Sequence, residues 1–351
     1  MKCGDIMNNQ NVNNSKCVTF NGYVIGEDSI ISSLDNKIID GIIGFAVGDA
    51  LGLPVEFKSR RDMERNPIKD MIGYGTYLVP EGCFGDDTSM VLATMDSIIE
   101  TKEINYDNMM SKFYNWLETG KYSSLDTVFD VSITTKYSIL RYKNGVSPLV
   151  CGANDDMSNG NGSLMRMLPI AYYLHKKNYD FVGSIDVVNN VSSLTHAHEI
   201  SWLGCKIFCD YVCLLLDGVS KIDALNMLKD YDYNSYYTLD SVNEYKRILS
   251  GDIINLSSDE IKSSGYVVNT LEASLWCLLT NDNYSDSVLS AVNLGGDTET
   301  IAAITGGLCG IIYGKKNIPN EWLIKLRKRK YIEDISRNFS NSLNNTITMN
   351  K

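Results

Sequence analysis

From Ile38 onward the chain repeats apolar residues with a helical period, and nowhere do several strand-like segments follow one another. Ile38, Ile39, Ile42, Ile43, Ala46, Val47 and Ala50 fall at i, i+3, i+4 and i+7, which lines one face of an α-helix. The same spacing predicts helices at about 88–101, 107–119, 125–143, 163–176, 196–217, 266–280, 284–293 and 298–313. Turn-forming stretches punctuate them, notably PEGCFGDD at 80–87, GANDDMSNGNG at 152–162 and LGGDTE at 294–299. With six prolines in 351 residues and no linker, the pattern specifies one large all-α domain over residues 34–335. Residues 1–33 read as an Asn-rich tail, mobile over 1–17, with a short hairpin around Asn21-Gly22. Residues 336–351 read as a polar tail.

The net charge of −11 argues against a nucleic-acid surface, which needs a basic face. A small phosphate-bearing ligand needs only local donors and stays open. Nine cysteines without a Cys-x-x-Cys pair suit a reducing cytoplasm better than a disulfide framework. Cys205, Cys209 and Cys213 share one helix face among apolar neighbours, as buried thiols do. Residues 1–17 hold no apolar run and are not a signal peptide. The apolar stretch Ile301 to Gly314 is too short to span a bilayer, so a cytoplasmic chain is expected.

Three acidic clusters carry the chemistry. Asp86-Asp87-Thr88 opens one predicted helix, Asp297-Thr298-Glu299-Thr300 opens another, and Asp49 and Glu56 flank the turn ALGLPV. One acid per helix start would serve as a cap. Paired acids followed by a hydroxyl exceed that need, and adjacent helical side chains diverge by about 100 degrees, so they reach different cations. Oxygen ligands without His or Cys favour Mg²⁺ or Mn²⁺ over Zn²⁺. If the clusters converge, their carboxylates repel unless cations neutralise them, which a binuclear site would do. The Gly-rich turn Asn159–Ser163 offers free N–H groups to an anion. Thr195-His196-Ala197-His198 opens a further helix, where the histidines suit substrate positioning or capping rather than chelation. Gly44, Gly48 and Gly52, four apart, make a flat face for close helix packing.

Five segments in this order, GFAVGDALGLPVE at 44–56, DDTSM at 86–90, NGNGSLMRMLPIA at 159–171, THAH at 195–198 and AVNLGGDTET at 291–300, resemble the ADP-ribosylglycohydrolase family. The resemblance covers about 38–315. It implies an orthogonal all-α fold with two Mg²⁺ or Mn²⁺ ions in a central cleft. Asp86, Asp87, Thr88, Asp297, Glu299 and Thr300 then become the metal candidates, and Glu56 and Asp87 the catalytic acids. Asp49, Gly160, Asn161, Gly162, Ser163, His196, Gly265 and Tyr266 become the substrate-binding candidates. The implied activity is metal-dependent removal of ADP-ribose from a protein or small-molecule acceptor, an arginine N-linkage being the first guess, by a monomer. The rival is a weak or inactive relative that binds ADP-ribose or serves a structural role. Two departures favour that rival: Gly85 stands where the family usually has Thr or Ser, and Glu299 where it usually has Asp. A Mg²⁺-dependent diphosphate enzyme of the isoprenoid type would need Asp-Asp-x-x-Asp, and position 90 is Met.

Overall fold

The computed structural model describes residues 17–20 and 23–344, with side chains from 34 onward. The Asn-rich segment 1–16 and the Asn21-Gly22 turn lie outside the described residues. Strands β1 (Cys17–Phe20) and β2 (Tyr23–Gly26) pair antiparallel, Val18 opposite Ile25, as the hairpin reading expects. Every later element is helical. The order is α1 (Glu27–Gly52), α2 (Arg60–Arg65), α3 (Asp86–Thr101), α4 (Tyr106–Thr119), α5 (Ile133–Lys143), α6 (Leu168–Lys176), α7 (Ile185–Ser193) and α8 (Glu199–Leu216). There follow α9 (Lys221–Leu228), α10 (Leu239–Glu244), α11 (Lys246–Leu249), α12 (Val267–Leu279), α13 (Tyr284–Asn293), α14 (Thr298–Tyr313), α15 (Asn320–Lys325) and α16 (Arg329–Asn344).

The centre of the fold is an antiparallel pair, α1 against α14, in backbone contact. A Cβ added at Gly48 would lie 2.0 Å from the Ala302 carbonyl oxygen, and one at Gly44 2.3 Å from that of Gly306. Gly52 meets Thr298 in the same way, so the flat face expected from the glycine spacing is real. The Thr298 hydroxyl donates to the Gly52 carbonyl at 2.8 Å, fixing the register at the end that carries the acids. Segment 34–55 is long and apolar enough to cross a membrane, longer than the 301–314 stretch singled out from sequence. Here 89% of its apolar window is buried, the signature of a core helix.

Three expectations change. The helix predicted over 125–143 starts only at Ile133, because the Ser132 side chain accepts from the Thr135 N–H and caps it there. Residues 125–132 are loop instead. The helix expected over 163–176 is a short 3₁₀ turn, Leu164–Arg166, followed by α6 with Pro169 in its first turn. The polar tail expected from residue 336 is the second half of α16. Ile332, Ile335, Phe339 and Leu343 form a narrow buried stripe on that otherwise polar helix, and the Ser340 hydroxyl donates to Asp35 of α1. The domain therefore runs to Asn344, since so sparse a stripe buries one face without raising the hydrophobicity of the whole segment.

Candidate active site

The α1–α14 seam brings the end of α1, the start of α14 and the start of α3 to one place. Asp49, fully buried on α1, accepts hydrogen bonds from the Gly85 N–H (2.8 Å), the Thr88 N–H (2.9 Å) and the Thr88 hydroxyl (2.6 Å). It caps α3 from another helix, which leaves Asp86 and Asp87 free of that duty. Asp297 caps α14 through the Thr300 N–H and accepts from the Asn161 side chain at 2.8 Å. Positive φ angles at Gly295 (71°) and Gly296 (74°) make the turn that delivers it, and Gly296 donates to the Lys58 carbonyl. The Phe57 N–H donates to the Gly296 carbonyl at 2.7 Å, tying the Glu56 turn to the same loop.

Two groups of three carboxylates result, each with ligand oxygens within 4.8 Å of one another: Asp49, Asp87 and Glu299, and Glu56, Asp130 and Glu299. Glu299 belongs to both. It is 2% exposed, and neither of its carboxylate oxygens has a hydrogen-bond partner; Asp87 Oδ2 is likewise unpartnered. A buried carboxylate without donors is costly to keep, and these oxygens could hold a metal ion or share protons with Glu56 and Asp130. A hard divalent cation suits them, being bound by carboxylate oxygens and neutralising their repulsion. Thr300 lies at the edge of the first trio, its hydroxyl 3.4 Å from Asp87 Oδ1.

Above the trios opens a cleft of about 550 Å³, lined by Glu56, Tyr77, Asp86, Asp130, Asn161, Asp297 and their neighbours and by no Lys or Arg. Its far wall is the loop Gly160–Gly162 with His196 and Gly265. The Asn161 N–H donates to the Gly265 carbonyl and a bridge joins Gly160 to Tyr266, so a segment about a hundred residues away holds the loop. Of the residues named from sequence, Glu56, Asp86, Gly160, Asn161, Gly162, His196, Gly265, Asp297, Glu299 and Thr300 line this cleft. Four others do not. Asp49 is turned to α3; the Ser163 hydroxyl faces the core and accepts from Ser192; Tyr266 donates to Glu244; and Thr88 is bonded to Asp49. Asp87 sits beneath the cleft floor, fully buried. His198 caps α8, accepting from the Ile200 N–H, while His196 lines the cleft.

Asp130 is the residue the sequence reading missed. It sits in the loop before α5, and the Tyr77 hydroxyl lies between Glu56 Oε2 (2.6 Å) and Asp130 Oδ1 (2.9 Å). One hydroxyl proton serves one carboxylate at a time, so a proton on the other would complete both contacts. Burial, together with the charges of Asp130 and Asp297, pushes the Glu56 carboxyl up to about 8. Burial pushes Asp49 up to about 7 against the opposing hydrogen bonds from Thr88 and Gly85. Asp86, Asp87, Asp297 and Glu299 are raised by burial and by their neighbours' charges, and Asp130 by burial.

Carboxyls with raised folded values bind protons more tightly than in the unfolded chain, where they titrate at about 4. Their contribution to stability is fully present below about pH 4 and is lost as pH rises through the folded values. The melting temperature of the metal-free protein should therefore fall from about pH 5 to about pH 8, and saturating Mn²⁺ should cancel the fall. A metal-free melting temperature that rises across that window would contradict this protonation.

A family model for ADP-ribosylglycohydrolases matches residues 31–347. The chain is 32% identical to the ADP-ribosylarginine hydrolase Tri1 of Serratia proteamaculans over 305 residues, 87% of this chain and 78% of that protein. It is 26% identical to the ADP-ribosyl-[dinitrogen reductase] glycohydrolase of Rhodospirillum rubrum, over 84% of this chain and 91% of that one. A solved structure titled an ADP-ribosylglycohydrolase-related protein complex superposes with a TM-score of 0.74 at 23% identity, covering 89% of this chain and 99% of that one. The carboxylate-floored cleft, the helical fold and these matches agree, and the chain belongs to the ADP-ribosylglycohydrolase family.

Proposed function

We propose that the protein hydrolyses the glycosidic bond between ADP-ribose and a modified acceptor, with an arginine N-linkage as the substrate. The observation that carries the reading is the pair of carboxylate trios joined at Glu299 under a cleft walled by the Gly160–Gly162 loop. The linkage follows the Serratia and Pseudomonas putida relatives, both named ADP-ribosylarginine hydrolases. Two Mg²⁺ or Mn²⁺ ions would be held by Asp49, Asp87 and Glu299 and by Glu56, Asp130 and Glu299, with Asp86, Asp297 and Thr300 at their margins. When bound, such ions polarise water and ribose hydroxyls.

The chain's own residues do the rest. Asp297 holds Asn161, and Asn161 holds the loop that faces the diphosphate and distal ribose. Positive charge grows on the ribose ring as the bond breaks, and the acids beneath it stabilise that charge. Glu56 exchanges the proton that leaves the attacking water and joins the departing acceptor, with Tyr77 and Asp130 setting where that proton rests. Gly85 and Glu299, each a departure from the family pattern, fit one another in space, which favours an active enzyme over a silent relative. The unpaired state of the described cysteines accords with a cytoplasmic protein.

Mass spectrometry of arginine- and serine-ADP-ribosylated peptides tests the reading. Release of ADP-ribose from the arginine adduct with Mn²⁺ or Mg²⁺, abolished by EDTA, is the expected result. Release from the serine adduct alone would replace the linkage. No release from either would overturn the hydrolase.

A further inference from the structure

Arg166 is fully buried, forms no ion pair among the described residues, and sits behind the cleft wall rather than in it. Its guanidinium donates to the Gly162 carbonyl, to the Thr195 hydroxyl (2.8 Å) and to the Val191 carbonyl (3.0 Å), and lies over the Phe113 ring. A buried cation held by carbonyls and one hydroxyl is an expensive way to brace a loop. Its effect on the next residue gives it a further role.

The Thr195 hydroxyl lies 2.9 Å from His196 Nδ1. A guanidinium only donates, so Thr195 accepts from Arg166 and keeps one proton to give. The acceptor in reach of that proton is His196 Nδ1. The imidazole must then carry its own proton on Nε2. That nitrogen has no hydrogen-bond partner among the described residues, and the ring, 1% exposed, lines the cleft. The ring is held against the loop: a Cβ at Gly162 would lie 2.7 Å from its Cε1, and one at Gly160 3.4 Å from its Nε2. Burial and the Arg166 charge lower the imidazole to about 3, so no charge change at neutral pH competes with this arrangement.

We propose that Arg166 and Thr195 are positioning residues that lock His196 as the Nε2–H tautomer, a permanent neutral donor to an acceptor oxygen of the bound ligand. Only the ligand's identity, ADP-ribose, rests on the function proposed above. The direction of the relay follows from the Thr195 proton, which has no acceptor in reach among the described residues except His196 Nδ1. His196 in this arrangement is not a general base, because the nitrogen facing the cleft has no lone pair to offer.

The chain has three histidines, so nitrogen-15 labelling of histidine gives a spectrum that can be assigned by the loss of one ring in His196→Asn. The expected spectrum shows His196 with a protonated Nε2 and a bare Nδ1, unchanged from about pH 5 to about pH 8. Thr195→Val should mix the two tautomers and weaken ADP-ribose binding about tenfold, and Thr195→Ser should restore both. An Nδ1–H ring in the wild-type protein, or a Thr195→Val protein that keeps a pure Nε2–H ring, would overturn the relay. If Thr195→Val does not fold, the wild-type spectrum decides by itself. An Nε2–H ring whose resonances ADP-ribose leaves unmoved upholds the relay and removes ADP-ribose as the ligand.

Discussion

Glu299→Gln is expected to lower turnover about a thousandfold and yet to raise the melting temperature of the metal-free protein. The two effects have one origin. Glu299 is the carboxylate common to both trios, so its loss removes negative charge from both candidate cation positions at once. Without cations the same carboxylate is a burden, with both oxygens unpartnered and the charges of Asp130, Asp49, Glu56 and Asp87 opposing its own. An amide of the same shape carries no charge and brings two donors to a place crowded with acceptors. Relief of about 1–3 kcal/mol is the expected scale, or a few degrees for a domain of this size. Calorimetry in EDTA and in Mn²⁺ separates the terms: the variant should melt above wild type in the first and lose the metal-induced rise in the second. A variant that melts lower in EDTA would show that Glu299 chiefly supports the start of α14.

Gly85→Thr should be nearly as damaging, from a residue that carries no chemistry. A Cβ at position 85 would lie 2.0 Å from Glu299 Oε1 and 2.8 Å from Asp130 Oδ2. Both are the ends of side chains, so the fold can adapt, but only by moving the shared carboxylate away from one trio. Displacing a ligand oxygen by about 1 Å is enough to lose about a hundredfold in rate. Glu299→Asp alone withdraws the carboxylate by one methylene and should also impair the enzyme. Combined with Gly85→Thr, the shorter acid leaves room for the new side chain, so the double variant should outperform Gly85→Thr in Mn²⁺ affinity and in turnover. Purely additive losses in that cycle would show the two positions to be independent.

This relation explains why sequence carried some of the site and hid the rest. The acid pairs at 86–87 and 297–299 were legible because each opens an apolar helix, and α13 and α14 fall where periodicity puts them. Asp130 was not, because Val128 and Val131 imitate helical spacing and drew the loop into a helix. The signal against that reading was Ser132, a cap just before the helix, which leaves Asp130 outside it. Asp49 gave no sign from sequence of its bonds to Gly85 and Thr88, which lie on another helix, or of its place beside Asp87 and Glu299. Gly85 and Glu299 read as two separate departures, since nothing local shows that one fills the space the other leaves. The end of the domain was misplaced for a gentler reason: α16 buries a stripe too narrow to raise the hydrophobicity of its segment.

The glycine seam between α1 and α14 also decides which parts of the protein are able to move. Sliding one helix against the other would drive carbonyl oxygens into backbone with no side chain between to yield, so the acid floor behaves as an anvil. Loops also carry part of the rim, with Phe57 and Gly160 to Gly162. On the function proposed above, a bulky acceptor would meet that rim while the floor keeps its spacing. The bond to be cut then meets the same set of acids whatever the bulk of the molecule attached to it.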